Sequence, residues 1–161
     1  MIGALLKHVT WRAVLIAGVA AGTVFLITNL ALLPLVLDVK PGLILRYFAG
    51  LVMGSDVLTD DGTEILLVGL LVHYALSLVF ALPITIVVHR FGLGVGILGG
   101  AVLGLALYSI NFYTLTNWAE WFFALKSTVL LFSHVLFGAV AGGVYELFDH
   151  YDQPILKERA A

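Results

Sequence analysis

Long apolar stretches alternate with short polar breaks along most of this chain, and their lengths predict its organisation. A bilayer span needs about 20 consecutive apolar residues. Four stretches reach that length: Trp11–Leu37, Ile65–Val88, Phe91–Thr114 and Trp121–Phe148. A further stretch, Pro41 to Gly54, is apolar but too short to span, and it contains Arg46. It predicts an interfacial or re-entrant helix, with Pro41 in its first turn and Gly54 at its exit. The brief break at His89-Arg90 forces spans two and three into an antiparallel hairpin. Pro83, near the end of span two, removes one backbone hydrogen bond and predicts a kink. The expected fold is all-α, a polytopic transmembrane four-helix bundle. Residues 1–148 form a single membrane domain, and 149–161 form a polar cytoplasmic tail.

Composition supports a membrane setting and removes several function classes. The chain is 61% hydrophobic and only 11% charged, against roughly 25% charged residues in soluble domains. A soluble core of this size has no room for so much apolar surface. The net charge is -2 and no basic patch suggests nucleic acid. The absence of cysteine removes disulfides, iron–sulfur clusters, thiolate metal sites and cysteine nucleophiles. No phosphate loop, dinucleotide fingerprint, HExxH or GxSxG occurs. The loops offer no nucleophile–base pair, so soluble enzyme activity is the least expected class.

The segment from Met1 to Leu37 has the outline of a signal peptide, but its apolar run from Ala13 exceeds the roughly 7–15 residues of a signal core. A retained first span is expected. Lys7, Arg12, Arg90, Lys157 and Arg159 fall on one side of the four spans, and Lys40, Arg46 and Lys126 on the other. That bias places both termini in the cytoplasm and the chain in the inner (plasma) membrane. Trp11 on one side and Trp118 with Trp121 on the other mark the two interfaces.

Span three carries a ladder of glycines, Gly92, Gly96, Gly100 and Gly104, continued by Tyr108. Positions four apart share a helix face. Such a face lets another backbone approach closely, with dispersion contacts as the reward. The partner is either Gly18 with Gly22 on span one or Gly138 with Gly142 on span four. The alternative is a groove for a flat cofactor or a lipid tail.

Two histidines stand out. His73 lies on a face with Gly69, Ser77 and Ala81, and His134 on a face with Leu130, Gly138, Ala141 and Tyr145. Spans two and four run in the same direction, so broadly similar distances from their starts place the two histidines at similar depths. Ionisable side chains at mid-membrane are costly and are functional candidates by default. Three chemistries suit the pair. They are axial ligation of a haem b, with the small residues nearby making room for a porphyrin, proton or ion handling, and binding of a quinone-type ligand. The plain alternative is two neutral imidazoles bonded to neighbouring helices.

A second polar group, Asn29, Asn111 and Lys126, is biased to the far half of the bundle and is a candidate outer pocket above the histidines. Lys126 is expected about one and a half turns inside span four. It either snorkels to the interface, binds an anionic headgroup, or pairs with Asp56, Asp60, Asp61 or Glu64. Asp149, His150 and Asp152 have metal-ligand composition, but a solvated tail is the default for them.

The segments Leu71-Val72-His73-Tyr74-Ala75-Leu76-Ser77, Gly104-Leu105-Ala106-Leu107-Tyr108 to Asn111-Phe112, and Ser133-His134-Val135-Leu136-Phe137-Gly138 resemble a family of small bacterial four-span membrane proteins sometimes labelled "sodium:proline symporter". The resemblance covers spans two to four, roughly half the chain. It implies the inner-membrane four-helix architecture and carries over no catalytic residue. The family pattern has an arginine where this chain has Lys126, so two-pronged anion binding is not expected there. The leading functional expectation is a subunit or accessory of a larger membrane complex, with the lipid bilayer, other membrane subunits or a second copy as partners. A haem-binding electron-transfer protein and a small transporter or channel with a proton-sensitive site are the alternatives.

Overall fold

A computed structural model describes residues 9–60 and 62–149. Asp61, Lys7, and the tail beyond Asp149 with His150, Asp152, Lys157 and Arg159 lie outside the described residues. Five α-helices account for most of the chain: α1 (Trp11–Leu37), α2 (Leu43–Met53), α3 (Thr63–Val88), α4 (Leu93–Tyr113) and α5 (Thr128–Phe148). Short 3-10 turns occupy Ser55–Thr59, Leu115–Asn117 and Glu120–Leu125, and no strand occurs among the described residues. All but α2 are long and apolar enough to cross a membrane. The chain is therefore an all-α helical bundle of the multi-pass membrane type.

The bundle buries its few membrane-depth polar side chains and turns large apolar ones outward. Asn29, His73, Ser77, Thr85, Ser133 and His134 are buried, while Leu35, Leu71, Leu98 and Val102 are 80%, 72%, 71% and 68% exposed. In water such an outer surface would not persist as a monomer, whereas hydrocarbon is its matching solvent. The buried hydroxyls are satisfied within their own helices. Ser77 Oγ donates to the His73 carbonyl at 2.8 Å and Ser133 Oγ to the Val129 carbonyl at 2.8 Å.

Helix neighbours follow from where the small residues lie. α5 packs most extensively on α4 and next on α1, while α1 also packs on α3. The α4 ladder meets α5 backbone to backbone. A methyl group at Gly100 would fall on the Gly138 carbonyl oxygen, and one at Gly104 on that of His134. Span four, not span one, is thus the ladder's partner. Gly18 and Gly22 face α3 instead, where a Cβ at Gly22 would come within 2.8 Å of Ser77 Cβ. Gly92 corrects the expected ladder. It caps α4 at φ 82° with nothing near its Cβ position, so it serves the turn from α3 and not the helix contact.

One boundary also differs from expectation. α5 starts at Thr128, because Glu120–Leu125 forms a 3-10 turn and Ser127 caps the helix by accepting from Leu130 N at 3.3 Å. Pro83 lies within one continuous helix, Thr63–Val88. The short helix α2 packs along α3, its Leu45 carbonyl set against Gly69, a contact only glycine permits. α2 brings Phe48 to the level of His73, which is ten residues past Thr63, or about 15 Å along the axis at 1.5 Å per residue.

Consecutive helices α3 and α4 touch only sparsely. They are joined at the His89-Arg90 turn, where Arg90 has φ 76°, and they part toward the opposite end. The site lies in the opening between them.

Candidate functional site

A cavity of about 340 Å³ lies between α3 and α4, beneath α2 and the Leu115–Ala119 segment. Its walls are largely aromatic and aliphatic, with Phe25, Phe48, Phe80, Phe112 and Phe137 among them, and its polar lining includes His73, Ser77, Asn111 and His134. Val52, Leu115 and Trp118 lie on its exposed side at 64%, 45% and 70% exposure, so its rim is apolar. No Asp, Glu, Lys or Arg lines it.

Both histidines reach this one cavity, though not for the reason that residue counting supplies. His134 is only six residues past the true start of α5, and His73 is ten past that of α3. They are brought to one level by Phe25 of α1. Its ring stacks on His73 with centroids 5.7 Å apart and meets His134 edge-on at 5.1 Å. Phe48 also packs on His73, tilted, at 4.9 Å. Tyr108 and Phe112 flank His134 at 5.5 and 6.1 Å.

Each imidazole is oriented by a carbonyl. His73 Nε2 donates across the helix interface to the Gly22 carbonyl at 2.9 Å, a reach that glycine's missing side chain allows. Such interhelical bonds contribute about 0.6–2 kcal/mol. His134 Nδ1 donates to the Leu130 carbonyl at 2.7 Å, and its Nε2 accepts from Asn111 Nδ2 at 3.0 Å.

This arrangement does not suit a haem ligated by both histidines. The phenyl ring of Phe25 takes the space between the imidazoles that a porphyrin would need, and the Nε2 atoms of both rings already hold hydrogen bonds. Protein purified from haem-supplied cells is expected to give a flat reduced-minus-oxidised spectrum in the α-band region. A sharp b-type band that disappears in His134→Ala would refute this reading. Among the described residues no three His, Asp or Glu side chains gather to hold a metal ion.

The three residues expected to form an outer pocket are not brought together. Asn111 joins His134 in the cavity. Asn29 is fully buried on α1, donates to the Phe25 carbonyl at 2.8 Å, and does not line the cavity. Lys126 precedes α5 instead of entering it. Its ammonium lies over the rings of Tyr113 and Phe123, 4.3 and 4.9 Å from their centroids. It makes no ion pair with Asp56, Asp60 or Glu64 among the described residues.

A polar cluster at the other end of the bundle was not anticipated. Asp149 is buried, not solvated. One carboxylate oxygen accepts from Thr10 Oγ1, and the other lies 3.1 Å from His89 Nδ1. Tyr145, with no exposed surface, places its hydroxyl 2.8 Å from the same His89 nitrogen. Glu146 accepts from the Gly92 N–H at 3.1 Å. The cluster ties the start of α1 and the α3–α4 turn to the end of α5. A signal for it was present: Asp149 follows Tyr145 by four residues, so the buried face of α5 runs on through it. Comparison with family models, curated proteins and solved structures yields no match to this chain.

Proposed function

We propose that this protein is a membrane-embedded binding protein that admits a small lipophilic molecule from the bilayer into the cavity between α3 and α4. The observation that carries this reading is the cavity itself, about 340 Å³, apolar-walled and apolar-rimmed, with a hydrogen-bonded polar wall of His73, Asn111 and His134. Small-molecule sites typically enclose about 300–1,000 Å³ and combine apolar walls with a few placed polar groups. A dry cavity of about 150 Å³ already holds benzene. An ion is a poor occupant, because no carboxylate or cationic side chain in the lining would compensate its charge. In this reading the protein sits in the plasma membrane with its termini in the cytoplasm. It holds its ligand either alone or as an accessory subunit of a larger membrane complex.

The test is mass spectrometry of an organic extract of the purified protein. Leu107 lines the opening from α4, and Leu107→Trp places an indole there. A lipophile near one equivalent is expected in the wild type, with at least a tenfold depletion in Leu107→Trp. A wild-type extract with nothing beyond the bulk lipid carried by an unrelated helix bundle would sink the proposal. A second polypeptide retained at fixed stoichiometry in the same preparation would identify the subunit form.

A further inference from the structure

The hydrogen-bonding sense of the polar wall follows from one carbonyl. His134 Nδ1 lies 2.7 Å from the Leu130 carbonyl oxygen. A carbonyl only accepts, so Nδ1 bears the proton, and in a neutral imidazole Nε2 is then the acceptor. An imidazolium would have no counter-charge here, since no carboxylate lines the cavity. The atom facing Nε2 at 3.0 Å is Asn111 Nδ2, a donor meeting an acceptor. That contact fixes the amide, turning its NH2 to the histidine and leaving Oδ1 to accept.

Asn111 Oδ1 is buried and has no hydrogen-bond partner. A buried unpaired acceptor costs about 1–3 kcal/mol, and native structures rarely leave one without a reason. His73 has the same bias. Its Nε2 donates to the Gly22 carbonyl, which leaves Nδ1 as the accepting nitrogen. Ser77 commits its hydroxyl proton to the His73 carbonyl. Asn111 Nδ2 keeps a second N–H, but Oδ1 is the one polar atom of these four side chains that is buried with no partner, and a ligand that only accepts would leave it so.

We infer that the occupant of this cavity is a lipophile that donates a hydrogen bond. It is a hydroxyl-bearing molecule of phenol, quinol or alcohol type whose O–H is received by Asn111 Oδ1, and not a carbonyl or ether compound that can only accept. This rests on the proposed binding function and narrows its ligand class. The aromatic walls, with Phe25 and Phe112 beside the polar groups, suit a ring next to the hydroxyl.

The experiment uses the full chain in phosphatidylcholine nanodiscs and two probes of nearly equal shape, 2-naphthol and 2-methoxynaphthalene. Partitioning is corrected with empty nanodiscs. Saturable binding of the naphthol at least tenfold tighter than of the ether is expected. Asn111→Leu should reduce the naphthol to the ether's affinity. Equal affinities in the wild type would overturn the donor inference while leaving the binding function standing. Saturable binding of neither probe would remove the binding function, and this inference with it. Should Asn111→Leu fail to fold, the nitrogen-15 spectrum of histidine-labelled wild type provides the decision. A proton on Nδ1 of His134 is expected, and a proton on Nε2 instead would reverse the polarity of the wall and overturn the inference.

Discussion

Gly100→Val is expected to abolish the folded bundle, and Gly138→Val to do the same, while Gly94→Ala leaves it intact. At the first two positions a Cβ would land on the carbonyl oxygen of the opposing glycine, Gly138 for Gly100 and Gly100 for Gly138. A flexible side chain in that place could swing aside. A carbonyl oxygen held in its own helical hydrogen bond cannot, so the helices must separate. Separation forfeits dispersion contacts along the whole α4–α5 interface, because in lipid no hydrophobic drive restores them. Overpacking ordinarily costs about 1–3 kcal/mol, and against backbone the loss is expected to exceed about 3 kcal/mol. Gly94 has nothing within reach of an added Cβ and faces outward. Unfolding by denaturing detergent, followed by circular dichroism, measures all three. Stability of Gly100→Val within about 0.5 kcal/mol of wild type, the usual effect of a surface change, would show that the close crossing is not what holds α4 to α5.

The second large effect is expected at the opposite end, from Asp149→Ala. In the wild type Arg90 Nε donates to His89 Nε2 at 3.1 Å, so the ring carries its proton on Nδ1, which is bonded to the Tyr145 hydroxyl at 2.8 Å and lies 3.1 Å from an Asp149 carboxylate oxygen. Alanine leaves the Thr10 hydroxyl without its acceptor and removes the carboxylate that faces the imidazole N–H. The side chains of His89 and Asp149 are only 8% and 2% exposed, so water does not readily replace the lost acceptor. Hydrogen bonds to a charged group contribute about 1.5–3 kcal/mol, and a loss in that range is expected for this end-on position. Asp149→Asn keeps an acceptor for Thr10 and should lose less than half as much. Thermal unfolding of both variants in detergent decides the matter. Equal stability of Asp149→Ala and wild type would mean that the cluster fastens nothing.

The architecture was legible because a bilayer imposes a length rule, and four stretches obeyed it. The i, i+4 faces were legible for the same kind of reason. Gly96, Gly100, Gly104 and Tyr108 are all buried on one side of α4, as their spacing requires. A similar depth for His73 and His134 was also expected, but from a wrong start for α5, and whether the two face one cavity was not legible. The start of α5 was placed at Trp121 because hydropathy does not distinguish an apolar 3-10 turn from an apolar helix. What decides the site, namely Phe25 between the imidazoles, the Gly22 carbonyl and the approach of α2 at Gly69, depends on the rotation of each helix about its axis. A chain whose helices are apolar nearly all round gives that rotation little periodic signal. Lys126 shows the same limit: its charge suggested acidic partners, whereas the loop geometry set it on two aromatic rings.

On the proposed binding reading, the apolar rim formed by Val52, Leu115 and Trp118 sets the units in which occupancy is expressed. A site entered from hydrocarbon equilibrates with the lipid phase, so its dissociation constant is a mole fraction in lipid and not a molar concentration in buffer. Diluting the aqueous phase would leave such a site filled. Adding empty vesicles, at constant protein and constant ligand, would drain it.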